Sequence, residues 1–282
     1  QSWNTGVCVS ALWGLVTALM TGVNTIVWAD NMSVTVSPIW CDIASHIQVG
    51  SDIGVPVSSL IITRRLYKIV EIRSVDPPTG REKRNELLVN WFLGLGFPVI
   101  VMGLYHIVEG ARFQVLEELG CLSTEINTGL TILFISCWSV ILPTISIVFY
   151  CPKIFCLFYH HNKQLHEFLR SHRTMPRSRY FRLLTLGCVD AFITLPVGIM
   201  LLAVQLRSPS NYGLRPITVS VQLRSPSFAG FWPGWSIVHS KTDWPPQPVS
   251  AVEWGQTVWS RFGVYFDEWI CVLDGVLFFA FF

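Results

Sequence analysis

The chain has 282 residues, 51% hydrophobic and only 13% charged, with a formal net charge of +2 and a mean hydropathy of +0.47. Soluble domains carry roughly 25% charged residues, so this composition excludes an ordinary soluble domain and places the chain in lipid. It has no basic block interleaved with aromatics, which argues against a nucleic-acid partner.

A hydrocarbon core about 30 Å thick takes roughly 20 apolar residues to cross. Six stretches meet that length, at approximately 7–28, 41–63, 87–108, 129–150, 183–204 and 262–282, and they predict an all-α, polytopic membrane helix bundle. The first, third and fourth contain no Asp, Glu, Lys or Arg. After the first, Asn31-Met32-Ser33 is an N-glycosylation sequon, with Asn31 the acceptor.

The second stretch is polar for a span. On a helix of 3.6 residues per turn, Cys41, Ser45, Gln48, Asp52, Pro56, Ser59 and Thr63 form one stripe, expected to face the bundle. Ile43, Gly50, Val57, Leu60 and Ile61 lie opposite, expected to face lipid or apolar neighbours. Asp190 in the fifth span and Asp267 and Asp274 in the sixth are further intramembrane acids. Such groups either join helices or floor a ligand cavity or switch. Gln48, Asp52 and Asp274 are the candidate residues for the second role. Prolines 56, 98, 143 and 196 are expected kinks.

Loop charge gives an orientation. Residues 29–40 have no Lys or Arg and 109–128 have only Arg112. Loop 64–86 has Arg64, Arg65, Lys68, Arg73, Arg81, Lys83 and Arg84, and loop 151–182 is as basic. The positive-inside rule makes those two loops cytoplasmic. Six helices then put Gln1 and Phe282 on the cytoplasmic side, and the chain reads as a fragment lacking a helix before Gln1 and a tail after Phe282. Cys41 and Cys121 fall on the outer side, as a disulfide or as two free thiols. Outer loop 205–261 carries Trp232, Trp235, Trp244, Trp254 and Trp259, suited to headgroups or an apolar ligand. The same loop contains VQLRSPS twice, at 204–210 and 221–227.

Motifs of soluble enzymes are missing: no H-E-x-x-H, P-loop, G-x-S-x-G or paired C-x-x-C occurs. No catalytic residue, metal or cofactor is implied. A secondary transporter using intramembrane carboxylates is the alternative reading, but the inverted repeats it requires are not visible.

Several motifs in order carry a resemblance: VNTIVW (23–28), WCDI (40–43), ITRRLYK (62–68), GLGFPVIVMGLYHIVEG (94–110), SRYFRLL (178–184), FWPGW (231–235) and VYFDEWI (264–270). They resemble the fungal a-factor-type, B mating-type, pheromone receptors. The resemblance implies a seven-helix G-protein-coupled receptor of the plasma membrane with its first helix missing here. It implies a lipidated peptide pheromone as ligand and a heterotrimeric G protein as partner. Under it Trp232 and Trp235 lie near ligand entry, and Arg64, Arg65 and Arg179 lie at the G-protein side. The resemblance leads to the expectation of an acid at position 90, where this chain has Asn90.

Overall fold

The computed structural model describes residues 5–71, 79–126, 128–160, 177–206, 234–239 and 244–250. The expected sixth span with Asp267 and Asp274, and the loop stretch carrying Trp232, lie outside the described residues.

Five long helices make up most of the structure: α1 is Thr5–Val27, α2 is Pro38–Glu71, and α3 runs over Gly80–Val108. α4 begins at Gly129–Thr131 and ends in Cys151–His160, and α5 is Arg177–Leu206. α1, α3 and the Gly129–Ile154 part of α4 are long and apolar enough to cross a membrane. Large apolar side chains on these helices stay exposed, among them Leu15, Leu19, Leu88, Phe92, Leu133 and Phe149. In water such a surface would be a liability; in lipid it is the expected exterior.

α2 is the central element, packed against α1, α3, α4 and α5. Of the face expected to meet lipid or apolar neighbours, Val57 and Ile61 meet the latter, buried in a core with Val49, Ile53, Val101, Tyr105 and Leu142, and Gly50 is buried as well. Only Ile43 of that set is largely exposed. A polar stripe implies an opposite lipid face only for a peripheral helix, and α2 is surrounded. The helix also runs past the expected boundary at Thr63, so Arg64 and Arg65 lie on it and not in a loop.

π-helical turns lie close to two of the prolines. α3 passes through a π-helical turn, Phe92–Gly96, just before Pro98, and α4 has π turns at Ile132–Ser136 and Ser146–Tyr150. A proline cannot donate to the carbonyl four residues earlier. Pro98 thereby releases the Gly94 carbonyl, which accepts the indole N–H of Trp13 on α1 at 3.0 Å. Pro143 releases the Ser139 carbonyl, and Gly198 of α5 sits so close to it that a Cβ there would lie 2.7 Å from the oxygen. Two helix contacts, one a hydrogen bond and one a close backbone approach, are thus made at carbonyls four residues before a proline.

The fold is mostly helical but not all-α as expected. β1 (Gln114–Leu116) pairs antiparallel with β2 (Gly120–Leu122) and parallel with β3 (Gln247–Val249), in the order β2-β1-β3. Three-residue strands carry too little periodicity to be seen in a sequence. Their turn depends on left-handed backbone at Glu118 (φ 75°) and Gly120 (φ 81°). A side chain at Gly120 would also strike Asn24 of α1. A second core, Val7, Ile62, Leu66, Cys151, Ile154 and Cys188, closes the opposite end of the bundle, and Cys151 Sγ and Cys188 Sγ approach to 3.0 Å.

Candidate functional site

The two ends of α2 differ in chemistry. Cys41 and Arg64 are 23 residues apart, roughly 35 Å at 1.5 Å per residue.

At the first end a disulfide joins Cys41 of α2 to Cys121 of β2, with Cα atoms 5.1 Å apart. Trp28, Ala44, Phe113 and Val115 pack around it. Asn24, near the end of α1, ties the parts together: its Nδ2 donates to the Cys121 carbonyl at 3.0 Å and its Oδ1 accepts from Trp40 Nε1 at 2.8 Å. Gln48 Oε1 accepts from the Ser123 backbone N–H at 3.0 Å. This end of α2 is therefore clamped to the 109–126 segment both covalently and by hydrogen bonds.

A pocket of about 330 Å³ opens beside this clamp, lined by Asp42, His46, His106, Glu109, Arg112 and Trp244. Arg112 forms a forked ion pair with Asp42, Nε to Oδ1 at 2.8 Å and Nη2 to Oδ2. His46 Nδ1 lies 2.9 Å from the Asp42 backbone carbonyl. His106, in the last turn of α3, places Nδ1 2.9 Å from Glu109 Oε2. Glu109 is only 2% exposed. Burial pushes its carboxyl up to about 7, Asp42 adds to the rise, and His46 and Arg112 oppose it.

An aromatic cluster extends from the pocket through its lining residues His106 and Trp244. Trp235 stacks on His239 at 3.8 Å, His239 lies 4.1 Å from Trp244, and the His106 ring meets all three edge-on at 5.4 to 5.7 Å. Trp235, on the short helix α6 (Trp235–Val238), remains half exposed. The pocket thus joins an apolar rim to a charged floor.

The candidate residues from the sequence are scattered over this frame. Gln48 is engaged with the outer segment as described, and Asp52, one turn further along α2, is exposed. The rest of the stripe is buried, apart from half-buried Gln48. Much of its polarity is spent on helix backbone: Ser45 donates to the Asp42 carbonyl and Thr63 to the Ser59 carbonyl at 3.0 Å each, with Ser146 Oγ 3.4 Å from Thr63. Asn31 is exposed, its Oδ1 accepting from the Ser33 N–H at 2.7 Å. Arg64 and Arg65 are half-buried at the other end of α2, where Lys68 pairs with Glu86 at 3.0 Å. Arg179 lies on α5. Asp274 and Trp232 lie outside the described residues.

Sequence reasoning missed the trio His46, His106 and Glu109. The only local signal is H-x-x-E at 106–109, which puts both side chains on one side of a helix end. His46 joins them through tertiary packing alone.

A family model described as Pheromone A receptor matches residues 1–282. The chain is 35% identical over 208 residues to the pheromone B alpha 1 receptor of Schizophyllum commune, covering 74% of this chain and 32% of that protein. It is 25% identical over 285 residues to pheromone receptor 1 of Mycosarcoma maydis, covering 100% and 73%. To the pheromone a factor receptor of Saccharomyces cerevisiae it is 23% identical over 203 residues, covering 71% and 43%. The match spans between 31% and 33% of the length of three Schizophyllum commune relatives. No solved structure matches.

Proposed function

The chain belongs to the pheromone A receptor family, and from that premise we propose that it is a seven-helix, G-protein-coupled receptor of the plasma membrane for a lipidated peptide pheromone. The observation that carries this reading is the family match over residues 1–282. The disulfide end faces outward and receives the ligand; the arginine end faces the cytoplasm and meets a heterotrimeric G protein. The alternation of basic loops supports that orientation, as does the disulfide, which belongs to an oxidising compartment.

Ligand enters beside Trp235, with Trp232 nearby in sequence, where the aromatic cluster adjoining the pocket suits a prenyl chain and the charged floor suits a peptide backbone or terminus. Gln48, Asp52 and Asp274 respond to it as cavity or switch residues. A signal requires the ligand to bind one helix packing better than another. α2 is the element suited to carry that difference, because it reaches from the pocket to Arg64 and Arg65 and touches four other helices. Arg179 completes the G-protein side, and Asn31 carries the glycan.

The test is pheromone-dependent nucleotide exchange on a G protein with the receptor reconstituted in vesicles. Exchange that rises with pheromone supports the reading. No response to any lipidated peptide, together with solute flux, overturns it. In the same assay Arg64→Ala/Arg65→Ala leaves pheromone affinity near that of the unaltered receptor and lowers exchange several-fold; a primary loss of binding removes their role. Asp52→Leu alters signalling more than surface expression, the outcome expected of a switch residue. Equal loss of both makes Asp52 a purely structural residue.

A further inference from the structure

We propose that His46, His106 and Glu109 form a binding site for a divalent transition-metal ion of the zinc type at the disulfide end of the bundle. One ligand atom from each of the three lies within 4.8 Å of the others. Two imidazoles and a carboxylate are a donor set of zinc sites that keep one position open.

The surroundings prepare these donors. A backbone carbonyl can only accept, so the contact of His46 Nδ1 with the Asp42 carbonyl at 2.9 Å puts the proton on Nδ1 and leaves a lone pair on Nε2. Fixing one ring nitrogen in this way is how metal-binding histidines are oriented. His106 Nδ1 and Glu109 Oε2, at 2.9 Å, share a position that a cation takes in place of a proton. Tetrahedral zinc sets its donors about 3.3 Å apart, so closing the trio from a spread of up to 4.8 Å needs movement of up to about 1.5 Å. His106, 51% exposed, is the least enclosed of the three and the one placed to make that adjustment.

Charge favours a cation here. α3 ends at Val108, so the carbonyls of its last turn bring the negative end of the helix dipole to His106 and Glu109. Arg112, the nearest positive charge, is held in its fork with Asp42. Glu109 is buried, and a buried carboxylate is costly unless a cation faces it. The pocket of about 330 Å³ provides access and space for a water at the open position. A bound ion would fasten α2 to the end of α3, beside the disulfide that already fastens α2 to β2.

The test uses the whole receptor in nanodiscs, stripped with a chelator and titrated with Zn²⁺, with Co²⁺ as the spectroscopic probe. The expected result is one equivalent of Zn²⁺, a visible Co²⁺ band of imidazole and carboxylate ligation, and a thermal midpoint raised by Zn²⁺. His106→Asn weakens Zn²⁺ binding by at least about tenfold while keeping the midpoint measured in chelator, since its side chain is half exposed. Glu109→Gln and His46→Ala lose the Co²⁺ band, and His239→Asn, a neighbouring imidazole outside the trio, keeps it. Absence of stoichiometric Zn²⁺ binding overturns the proposal, as does binding that His106→Asn leaves unchanged.

Discussion

Cys41→Ala/Cys121→Ala receptor is expected to melt at a markedly lower temperature than the unaltered protein and to reach the cell surface in much smaller amount. The bridge closes a loop of 80 residues, for which chain-entropy arguments give about 4.5 kcal/mol as the upper end of the stabilisation. Helices already inserted in lipid restrict the unfolded chain, so the realised value falls below that. Packing adds to the effect: Cys41 and Cys121 are both buried, between Trp28, Phe113 and Val115. Alanine is the better replacement, because serine would bury two hydroxyls and confuse lost cross-linking with unpaired polar groups. Without the bridge, Asn24 and Gln48 still hold the Cys121 carbonyl and the Ser123 N–H. Two hydrogen bonds of roughly 1 kcal/mol each do not replace it. The control is Cys156→Ala, an exposed free thiol at the other end of the molecule. A double variant that melts with the Cys156→Ala control would show that hydrogen bonds alone hold this cap.

The contrast between what was legible and what was not follows one physical line. Apolar runs long enough for lipid appear directly in the sequence, and α1, α3 and α4 lie where those runs are. Their chemistry is local: each helix satisfies its own backbone, so span and sequence coincide. The environment of α2 was not legible, because whether Val57 and Ile61 meet lipid or Val101 and Leu142 depends on four other helices. The sheet escaped for a related reason, since β1 finds β3 more than 130 residues later in the chain. The candidate site shows the same division. Cys41 and Cys121 were readable as a pair from their shared side of the membrane. Nothing in the sequence around His46 marks it, because its partners His106 and Glu109 arrive from another helix and its following loop.

Gly54→Ala is expected to cost the receptor several degrees of thermal stability, although the same change at Gly103 costs nothing. A Cβ at Gly54 would stand 2.4 Å from Trp13 Nε1 and Cε2, well inside contact distance, whereas at Gly103 it would meet nothing within 4 Å. In a helix interior Gly to Ala is by itself favourable by roughly 0.5–1 kcal/mol, so Gly103→Ala should be neutral or slightly stabilising. At Gly54 that gain is overcome. Trp13 is buried, its indole N–H is committed to the Gly94 carbonyl, and it also presses on Gly50 one turn away. It has no space to retreat without breaking that hydrogen bond. Overpacking of this kind costs about 1–3 kcal/mol, and leaving the Gly94 carbonyl unpaired in a bundle core adds about 1–3 kcal/mol. The measurement is the thermal midpoint in nanodiscs for Gly54→Ala, Trp13→Phe and the pair. Phenylalanine lacks the five-membered ring that meets the new methyl, so the two changes should be less harmful together than their separate losses added. Strict additivity would mean that Trp13 and Gly54 do not bear on one another, and that α1 is positioned on α2 by its other contacts, such as Gly6 against Ile62.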